Sequence, residues 1–393
     1  METAYLDAAA TTPLSLEVRQ KMMKSLDETS GNPSSLHRKG RSARQLLERA
    51  RAELAQALHC RKDELIFTSG GTEADYLGIT GLATSSKNRH IVSTAYEHHA
   101  VLSTLLVMER LGYEVSLVNP RADGLIHAED VLQAVRDDTC LVSVMWVNNE
   151  TGAVAPIDEL GRVLRGRRIP FHVDGVQAPA FLRVDLDAVP VDAVSFSAHK
   201  LFGPVGVGAL YVRAGVSFDP FYPQGTQERG RRGGTESVVL ASGMATAFAL
   251  QTEHFEARVA QIKALSDRFV RHASAQIDGV LWQLPEIRTP HIVSVRVVGI
   301  KADVLLMNLD LRGVFASSGS ACSAGSAEPS HVMKALGMSQ REAREVVRFS
   351  FSSATTDAEV DYAVDAFCEA VHQIRSGRLG NGKNGYSEDA KAE

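Results

Sequence analysis

The sequence has few cysteines and no long apolar segment. Its four cysteines are scattered over 393 residues, which excludes a disulfide framework. The longest uncharged stretch, 237–252, spans sixteen residues and contains Ser, Thr, Gly and Gln, so it is too short and too polar to cross a bilayer. The N-terminus lacks the basic and apolar stretches of a secretory signal. We therefore expect a cytoplasmic protein without a membrane span.

Neither sign of charge dominates the chain. There are 42 Lys and Arg residues and 47 Asp and Glu residues, and the net charge of −5 is spread over segments of mixed sign. Because no segment is strongly basic, nucleic acid and anionic membranes are not expected as direct ligands. The length and the 44% of hydrophobic residues are enough for more than one domain.

Short apolar runs alternate with helical periodicity between about residues 62 and 213. The runs lie at 65–67, 90–93, 113–118, 141–147, 171–173 and 193–196. Apolar residues at helical spacing lie between them, for example at 98–111, 128–135 and 157–165. This alternation predicts an α/β fold with a parallel sheet, whose ligands gather at the carboxyl ends of the strands.

After Gly234 the pattern becomes that of a smaller α+β domain. Its predicted elements are a long helix at about 238–276, strands at 292–298 and 346–351, and helices at 302–311 and 358–374. We place the large domain at 15–258 and the small domain at 1–14 and 259–376. The segment 377–393 contains almost nothing apolar, and we predict that it is a disordered tail.

An aspartate and a lysine follow two of the predicted strands. Asp174 closes the run Pro170-Phe-His-Val-Asp174, and Lys200 ends Val194-Ser-Phe-Ser-Ala-His-Lys200. Pyridoxal phosphate needs an amine for its Schiff base and a carboxylate that keeps its pyridine nitrogen protonated. Taken singly, such residues are more often turn residues or solvated lysines. Together they predict a pyridoxal phosphate site.

The segment Leu65-Ile-Phe-Thr-Ser-Gly-Gly-Thr-Glu-Ala74 is typical of a strand, a glycine turn and the start of a helix. The turn, at Gly71 and Thr72, presents backbone N–H groups and the positive end of the helix dipole to a phosphate. A Gly-Gly turn before a helix is common, and the Walker ending is missing. Ser197 and His199, close to Lys200, make the phosphate interpretation the better one.

Glu97-His98-His99 opens a helix directly after a strand. An imidazole there lies flat on a cofactor ring or moves protons, and metal binding is the rival interpretation. Adjacent helical histidines point about 100° apart, and no carboxylate or cysteine recurs at ligand spacing, so we expect no metal site. Asn149 and Gln177 also follow strand ends, where amides bind ring or substrate oxygens but more often cap and turn.

A run of small residues surrounds one cysteine in Ser317-Ser-Gly-Ser-Ala-Cys322-Ser-Ala-Gly-Ser-Ala327. Small polar residues cost little to expose and move, so this segment resembles a mobile arm that carries a thiol. A linker holding an incidental cysteine is the alternative. Cys60, Cys140 and Cys368 lie in apolar helical or strand contexts and look structural.

A series of short motifs runs along the chain: Tyr5-Leu-Asp7 with Ala10-Thr-Thr-Pro13, Gly31-Asn-Pro-Ser-Ser-Leu-His37, Thr68-Ser-Gly-Gly-Thr-Glu73, Asn148-Asn-Glu-Thr-Gly152, His172-Val-Asp-Gly-Val-Gln177, Ser197-Ala-His-Lys200, Glu228-Arg-Gly230, Gly234-Thr235, Ser317-Ser-Gly-Ser-Ala-Cys322, Glu328-Pro-Ser330 and Arg348-Phe-Ser350. In these motifs and their order the chain resembles, from Tyr5 to about Ile374, the pyridoxal phosphate-dependent cysteine desulfurases of the nitrogen-fixation and iron–sulfur-cluster type, within the class V aminotransferases. The resemblance implies a fold-type I homodimer. Its large domain would hold a mainly parallel seven-stranded sheet.

The resemblance also implies roles for the site residues. Asp174 pairs with the pyridine nitrogen, Gln177 binds the phenolic oxygen, and His98 stacks on the ring. The implied phosphate contacts are Gly71, Thr72, Ser197, His199 and, from the partner subunit, Thr235. The implied ligands of the substrate carboxylate are Asn32, Asn149, which also borders the cofactor, and Arg348, whose guanidinium offers a two-pronged match.

The implied activity converts L-cysteine to L-alanine and leaves the sulfur as a persulfide on Cys322. Lys200 anchors the cofactor and then takes the α-proton of the substrate. Because a typical thiol is mostly protonated at neutral pH, His98 or the substrate amine accepts the Cys322 proton. Protein sulfur acceptors are the expected partners. They would serve iron–sulfur cluster assembly, tRNA thiolation, DNA sulfur modification or thio-cofactor synthesis.

The chain departs from the family pattern at three places. The family usually has Asn at Tyr76, Leu-Gly-Arg at Phe351-Ser352-Ser353, and a glycine run at Gln224-Gly225-Thr226. These departures leave open the shape of the substrate mouth and of the partner surface.

Two other functions compete with this interpretation. A selenocysteine lyase or another class V aminotransferase-like enzyme would share Lys200 and Asp174 without needing Cys322 for sulfur transfer. A non-enzymatic sulfur-relay scaffold would need none of the cofactor contacts.

Overall fold

The computed structural model describes residues 2–219, 225–319 and 329–377; Cys322, Gln224 and the predicted tail from residue 378 lie outside the described residues. The strands are β1 Ala4–Tyr5, β2 Leu65–Thr68, β3 His90–Thr94, β4 Glu114–Val118, β5 Thr139–Met145, β6 Phe171–Asp174, β7 Ala193–Ser197, β8 Gly208–Val212, β9 Val280–Gln283, β10 Ile292–Val297, β11 Val314–Phe315 and β12 Val346–Ser350. The helices are α1 Leu16–Glu28, α2 Arg38–Ala57, α3 Gly71–Thr84, α4 His99–Arg110, α5 Ala128–Gln133, α6 Ile157–Arg167, α7 Val238–Thr252, α8 Phe255–Gln276, α9 Ala302–Asp310, α10 His331–Ala335, α11 Gln340–Ala343 and α12 Asp357–Arg375.

Seven strands form the central sheet, in the order β2-β8-β7-β6-β5-β3-β4. From β7 to β4 neighbouring strands are parallel, whereas β8 is antiparallel to both β7 and β2. The predicted α/β fold is therefore confirmed. The prediction omitted β8, because the turn that joins it to β7 has no helical pattern to mark a new strand.

The strands of this sheet are apolar on both sides. Ile66 and Ile91 pack into one hydrophobic cluster, and Phe67 and Val92, the next residue of each strand, pack into another on the opposite face. A sheet covered on both faces has near-continuous apolar strands, which is why the sequence showed runs rather than alternation. The carboxyl ends of these strands are consequently the exposed places where polar side chains can gather.

A second sheet has three antiparallel strands in the order β12-β10-β9. With α8, α9 and α12 it encloses a separate core, in which Phe269 contacts Phe349 and Phe367. The N-terminal residues Ala4 and Leu6 are buried in the same core, and β1 pairs in parallel with β11. The predicted domain boundary at residue 258 stays a prediction.

The predicted helix at 238–276 is wrong as a single element. The structure ends α7 at Thr252 and begins α8 at Phe255, because Glu253 is extended and His254 is left-handed, with φ of 48°. The two helices have different partners: α7 packs on α1 and α2, and α8 packs on α12. Both halves carry apolar residues at helical spacing, so the sequence pattern did not reveal the break.

Within the described part of the chain, no helix combines the length and the apolar composition needed to cross a membrane. Several helix ends follow sequence signals instead. The Ser15 Oγ atom accepts a hydrogen bond from the Val18 N–H at the start of α1, and Thr356 and Glu359 form a reciprocal capping box at the start of α12.

Helix α3 lies close to the sheet because Gly78 faces His172 of β6. A Cβ atom added at Gly78 would lie 2.7 Å from the His172 Cδ2 atom. That imidazole is fully buried and cannot move away. We predict that Gly78→Ala lowers the free energy of unfolding by about 1–3 kcal/mol through overpacking, measured by urea denaturation.

The matched control is Gly166→Ala in α6. A Cβ atom there meets nothing within 4 Å, so the alanine should stabilise the helix by about 0.5–1 kcal/mol. Equal effects of the two substitutions would contradict close packing of α3 on β6.

Candidate active site

The carboxyl ends of β5, β6 and β7 and the start of α3 surround a cavity of about 170 Å³. Its lining residues are Ala9, Ala10, Gly71, Thr72, Asp75, His98, Met145, Asn149, Asp174, Val176, Gln177, Ser197, His199, Lys200 and Arg348. Ten of the thirteen predicted site residues line this one cavity: Gly71, Thr72, His98, Asn149, Asp174, Gln177, Ser197, His199, Lys200 and Arg348.

The other three predicted site residues stand apart. Asn32 and Thr235 are exposed and do not border the cavity in the single chain, and Cys322 lies outside the described residues. The structure thus brings together the predicted amine and the predicted ring-nitrogen carboxylate, as the strand-end argument requires, and adds Arg348 from β12 of the other sheet.

Lys200 follows β7 in a short 3₁₀ turn and lines the cavity. Its Nζ atom donates hydrogen bonds to the carbonyl oxygens of Ala9 and Ala10, at 2.6 and 2.7 Å. The N-terminal segment therefore holds the amine in place.

Asp174 ends β6 and is buried. Its Oδ1 atom accepts a hydrogen bond from the Val176 N–H at 3.0 Å, while burial raises the pKa of its carboxyl group and the charge of Lys200 opposes that rise. A buried carboxylate needs a compensating positive charge. A protonated ring nitrogen is a group of the required charge.

The start of α3 forms an anion-binding corner. Gly71 and Thr72 lie in its first turn, and Ser197 and His199 border the same cavity. A Cβ atom at Gly71 would lie 2.7 Å from the Val176 Cγ2 atom, so only glycine lets the helix start come this close. Backbone N–H groups at a helix start bind phosphate.

His98 caps the start of α4, with its Nδ1 atom accepting a hydrogen bond from the Ala100 N–H at 3.1 Å. Burial, reinforced by the positive charge of Lys200, lowers the pKa of His98 to about 4. The ring is therefore neutral at neutral pH. Since Nδ1 accepts, the ring proton lies on Nε2.

Arg348 lies on β12 at the far side of the cavity and is buried. Its guanidinium donates to the Asn149 carbonyl oxygen at 2.7 Å and to the Asp7 Oδ1 atom at 2.9 Å. The Arg348 Nε atom has no hydrogen-bond partner among the described residues. A donor thus stays available for an anionic ligand.

The N-terminal segment is the part of the site that sequence reasoning missed. Gln177 Nε2 donates to the Ala9 carbonyl oxygen at 2.9 Å, and Thr12 Oγ1 donates to the His199 carbonyl oxygen at 2.8 Å. Asp75, a second buried carboxyl group in the cavity, was also missed. The conspicuous motif Tyr5-Leu-Asp7 was the available signal for the first.

One family departure lies beside the site rather than at its mouth. Phe351 and Ser352 are buried, and with Ser353 they border a small cavity of about 10 Å³ that Lys200 and Gln177 also line. The departure therefore alters the packing behind Lys200. Tyr76 is half-buried and does not line the main cavity.

These residues fit pyridoxal phosphate by the chemistry of their donors. The cavity offers an amine at Lys200, a buried carboxyl group at Asp174 and a glycine helix start at Gly71. Each matches one part of the cofactor: the aldehyde, the ring nitrogen and the phosphate.

Comparison with known proteins agrees with this geometry. Residues 4–363 match the family model described as aminotransferase class-V. A cysteine desulfurase IscS of Dictyoglomus turgidum is 39% identical over 375 residues, which cover 95% of each chain. Among solved structures, a NifS-like protein superposes with a TM-score of 0.88 at 32% identity, covering 94% of this chain and all of the other.

A further solved structure, SspA in complex with cysteine, has a TM-score of 0.79 at 33% identity and covers 90% of this chain and 100% of the other. The chain therefore belongs to the class V aminotransferase family. Members of this family use pyridoxal phosphate. Within the family it is a cysteine desulfurase of the IscS and NifS type.

The buried carboxyl group of Glu97 should make the stability of the protein depend on pH. Its side chain is buried and accepts hydrogen bonds from Thr94 Oγ1 and from the Met145 N–H, yet burial raises its pKa to about 8. A raised pKa in the folded state gives stability that is full below the unfolded pKa and is lost as pH rises toward 8.

We predict that Glu97→Gln, which cannot ionise, removes this loss. Between pH 5 and pH 8 the native protein should lose about 1–3 kcal/mol of its free energy of unfolding relative to the variant. Denaturant titrations at several pH values measure it. The control is Glu286→Gln, at an exposed residue, which should leave the dependence of stability on pH unchanged. If the stability of Glu97→Gln changed with pH in parallel with that of the native protein, the buried, neutral carboxyl group would be contradicted.

Proposed function

We propose that this chain binds pyridoxal phosphate through Lys200 and converts L-cysteine to L-alanine, leaving a persulfide on Cys322. The observation that carries the proposal is the common cavity of Lys200, Asp174 and Arg348. Bound there, the cofactor would accept the electrons of the substrate carbanion. We assign this chemistry to the cytoplasm, with protein sulfur acceptors as partners.

The protein would hold the cofactor from three directions. Asp174 would face the ring nitrogen, Gln177 the phenolic oxygen, and His98 the ring plane. Thr72, Ser197 and His199 would hold the phosphate at the start of α3. The amide of Gln177 already donates one hydrogen bond to Ala9, which orients its remaining N–H group.

Arg348 would bind the substrate carboxylate. Its Nε donor has no partner among the described residues, and its ion pair with Asp7 fixes the guanidinium plane. Asn149 lines the cavity next to it, and its carbonyl oxygen accepts from Arg348. We also assign Asn32 to this carboxylate, although it is exposed in the single chain.

Lys200 would serve as anchor and then as base for the α-proton. The carbonyl oxygens of Ala9 and Ala10 lie 2.6 and 2.7 Å from its Nζ atom. They would keep the displaced amine close to the reacting carbon, which is the geometric condition for proton transfer.

The neutral state of His98 affects which group can accept the thiol proton of Cys322. With Nδ1 accepting from Ala100, the ring presents an N–H donor at Nε2 rather than a lone pair. Taking a proton there would require the tautomer to change, and a pKa of about 4 makes His98 a weak base. The substrate amine is therefore the favoured acceptor of the thiol proton.

The position of Cys322 in the sequence supports its role. The flanking residue Ser317 exchanges backbone hydrogen bonds with Arg348, at 2.7 and 3.2 Å. On the other flank, Ser330 Oγ donates to Glu150 Oε2 at 2.6 Å, next to Asn149. Both flanks are therefore attached close to Arg348 and Asn149, the proposed ligands of the substrate carboxylate. A selenocysteine lyase would not need this attachment, and the cysteine bound to the related SspA also favours cysteine as substrate.

We further propose a homodimer in which Thr235 reaches the phosphate site of the partner. Thr235 is exposed and does not line the cavity of its own chain. Its segment is anchored by Glu228, which accepts two hydrogen bonds from buried Arg51 at 2.7 Å. A buried bidentate pair fixes the start of this segment.

We predict that Cys322→Ser retains cofactor and substrate binding but loses nearly all alanine formation, since only the sulfur acceptor is removed. Alanine release and cofactor absorbance measure the two effects. Cys60→Ser, at a partly buried cysteine outside the cavity, is the control and should keep native turnover. Near-native alanine formation by Cys322→Ser would favour the lyase alternative.

We predict that mixed dimers of Lys200→Ala and Thr235→Ala chains regain activity that neither homodimer has. In a shared site both lesions fall into one cavity, and the other cavity is native. Activity of purified, doubly tagged heterodimers measures this. Heterodimers no more active than their parents, or a monomeric protein, would contradict the shared site.

A further inference from the structure

Asp75 is a buried carboxyl group for which the proposed reaction has no use. It lies in the second turn of α3, is 1% exposed and lines the same cavity as Asp174. An aspartate so deeply buried needs a partner of opposite charge or must be neutral.

A chain of hydrogen bonds runs along the sheet toward Asp75. The Ser143 Oγ atom lies 2.9 Å from His172 Nδ1, and His172 Nε2 lies 3.0 Å from Ser195 Oγ. Burial raises the pKa of the Asp75 carboxyl group well above its usual value, and the nearby Ser195 hydroxyl group opposes that rise. Since burial lowers the pKa of His172 to about 3, this imidazole is neutral and carries one proton.

The direction of this chain follows from the donors. If Ser195 donates its hydroxyl proton to Asp75, it must accept from His172 Nε2, and His172 Nδ1 must accept from Ser143. Asp75 is thus the final acceptor. Its Oδ1 atom, 3.7 Å from His172 Nε2, has no hydrogen-bond partner among the described residues, so a hydrogen bond from Ser195 would fall on the other oxygen.

The charged groups around Asp75 do not compensate a second anion. Asp174 on β6 is a second carboxyl group close enough to Asp75 to repel its charge. Ser195 lies opposite Asp174 in the register of β6 and β7. Glu97, before α4, adds a third buried carboxyl group. Two cations line the cavity: Lys200 is held by the carbonyl oxygens of Ala9 and Ala10, and Arg348 is paired with Asp7.

We propose that Asp75 is a positioning residue that stays a protonated acid in the working enzyme, so that the single negative charge of the buried pair resides on Asp174. The proton lies on Oδ1, the oxygen without a hydrogen-bond donor. Were Asp75 ionised instead, repulsion between two buried carboxylates would drive a proton onto Asp174. The role of the Asp174 charge as the partner of the ring nitrogen rests on the proposed function.

Infrared spectroscopy of the cofactor-loaded enzyme tests the proposal. With ¹³C-carboxyl aspartate incorporated, we expect an isotope-shifted band of a protonated carboxyl group at neutral pH, which Asp75→Asn removes and Asp174→Asn retains. Aspartate labelling excludes the signal of Glu97. A native enzyme with no such band, or a band that survives in Asp75→Asn, overturns the proposal.

Two further variants distinguish an effect on the Asp75 carboxyl group from a general change in the structure. Ser195→Ala should shift the band without removing it, because the hydroxyl group between His172 and Asp75 is lost while the Asp75 carboxyl group stays; an unmoved band would also overturn the assignment. This measurement does not depend on folding of Asp75→Asn. Asp75→Asn should keep the native cofactor affinity, whereas Asp174→Asn should weaken it about tenfold or more.

Failure of the proposed function is distinguishable from failure of this inference. Loss of desulfurase activity, or attachment of the cofactor to another lysine, leaves the infrared bands of Asp75 unchanged. Weakened cofactor binding in Asp75→Asn equal to that in Asp174→Asn would show that Asp75 carries the charge itself.

Discussion

The site depends on one constraint, a carboxylate that is buried at the end of β6. Asp174 is 4% exposed and receives one backbone hydrogen bond, from Val176. Such a group is costly unless a cation faces it. The sheet supplies the burial, since helices and clusters of apolar residues cover both faces, and the cavity supplies the opening through which a cationic ring can approach. The remaining polar residues of the site take positions that are compatible with that charge.

The N-terminal segment links this carboxylate to the second core. Ala9 and Ala10 accept from Lys200, Ala9 also accepts from Gln177, and Asp7 pairs with Arg348. These contacts join residues that are far apart in sequence across the two sheets. The positions of the amine and of the guanidinium are therefore coupled through a few residues of the N-terminal backbone.

Sequence reasoning predicted the parts of this structure that have a local signal. Strand-end residues such as Asp174 and Lys200 met in one cavity because parallel strands place their carboxyl ends together. What it missed depends on contacts across the chain. The break before α8 needs a left-handed His254 that no pattern marks, and the closeness of Asp75 to Asp174 depends on how α3 packs over Gly78. Asn32 and Thr235 were assigned by family likeness, and the single chain places neither in the cavity.

The cavity carries charges of both signs on different residues. Asp75 and Asp174 line it together with Lys200, Glu97 is a further buried acid close to Asp75, and the Arg348 guanidinium donates to the Asn149 carbonyl oxygen. Under the proposed function, an amino acid that enters the cavity would turn its carboxylate toward Arg348, because opposite charges attract strongly where water is excluded. The two flanks of the Cys322 segment are attached to Arg348 and to Glu150, through Ser317 and Ser330. The arrangement of charges and the attachment of the flanks would together limit which substrate atom the thiol can reach.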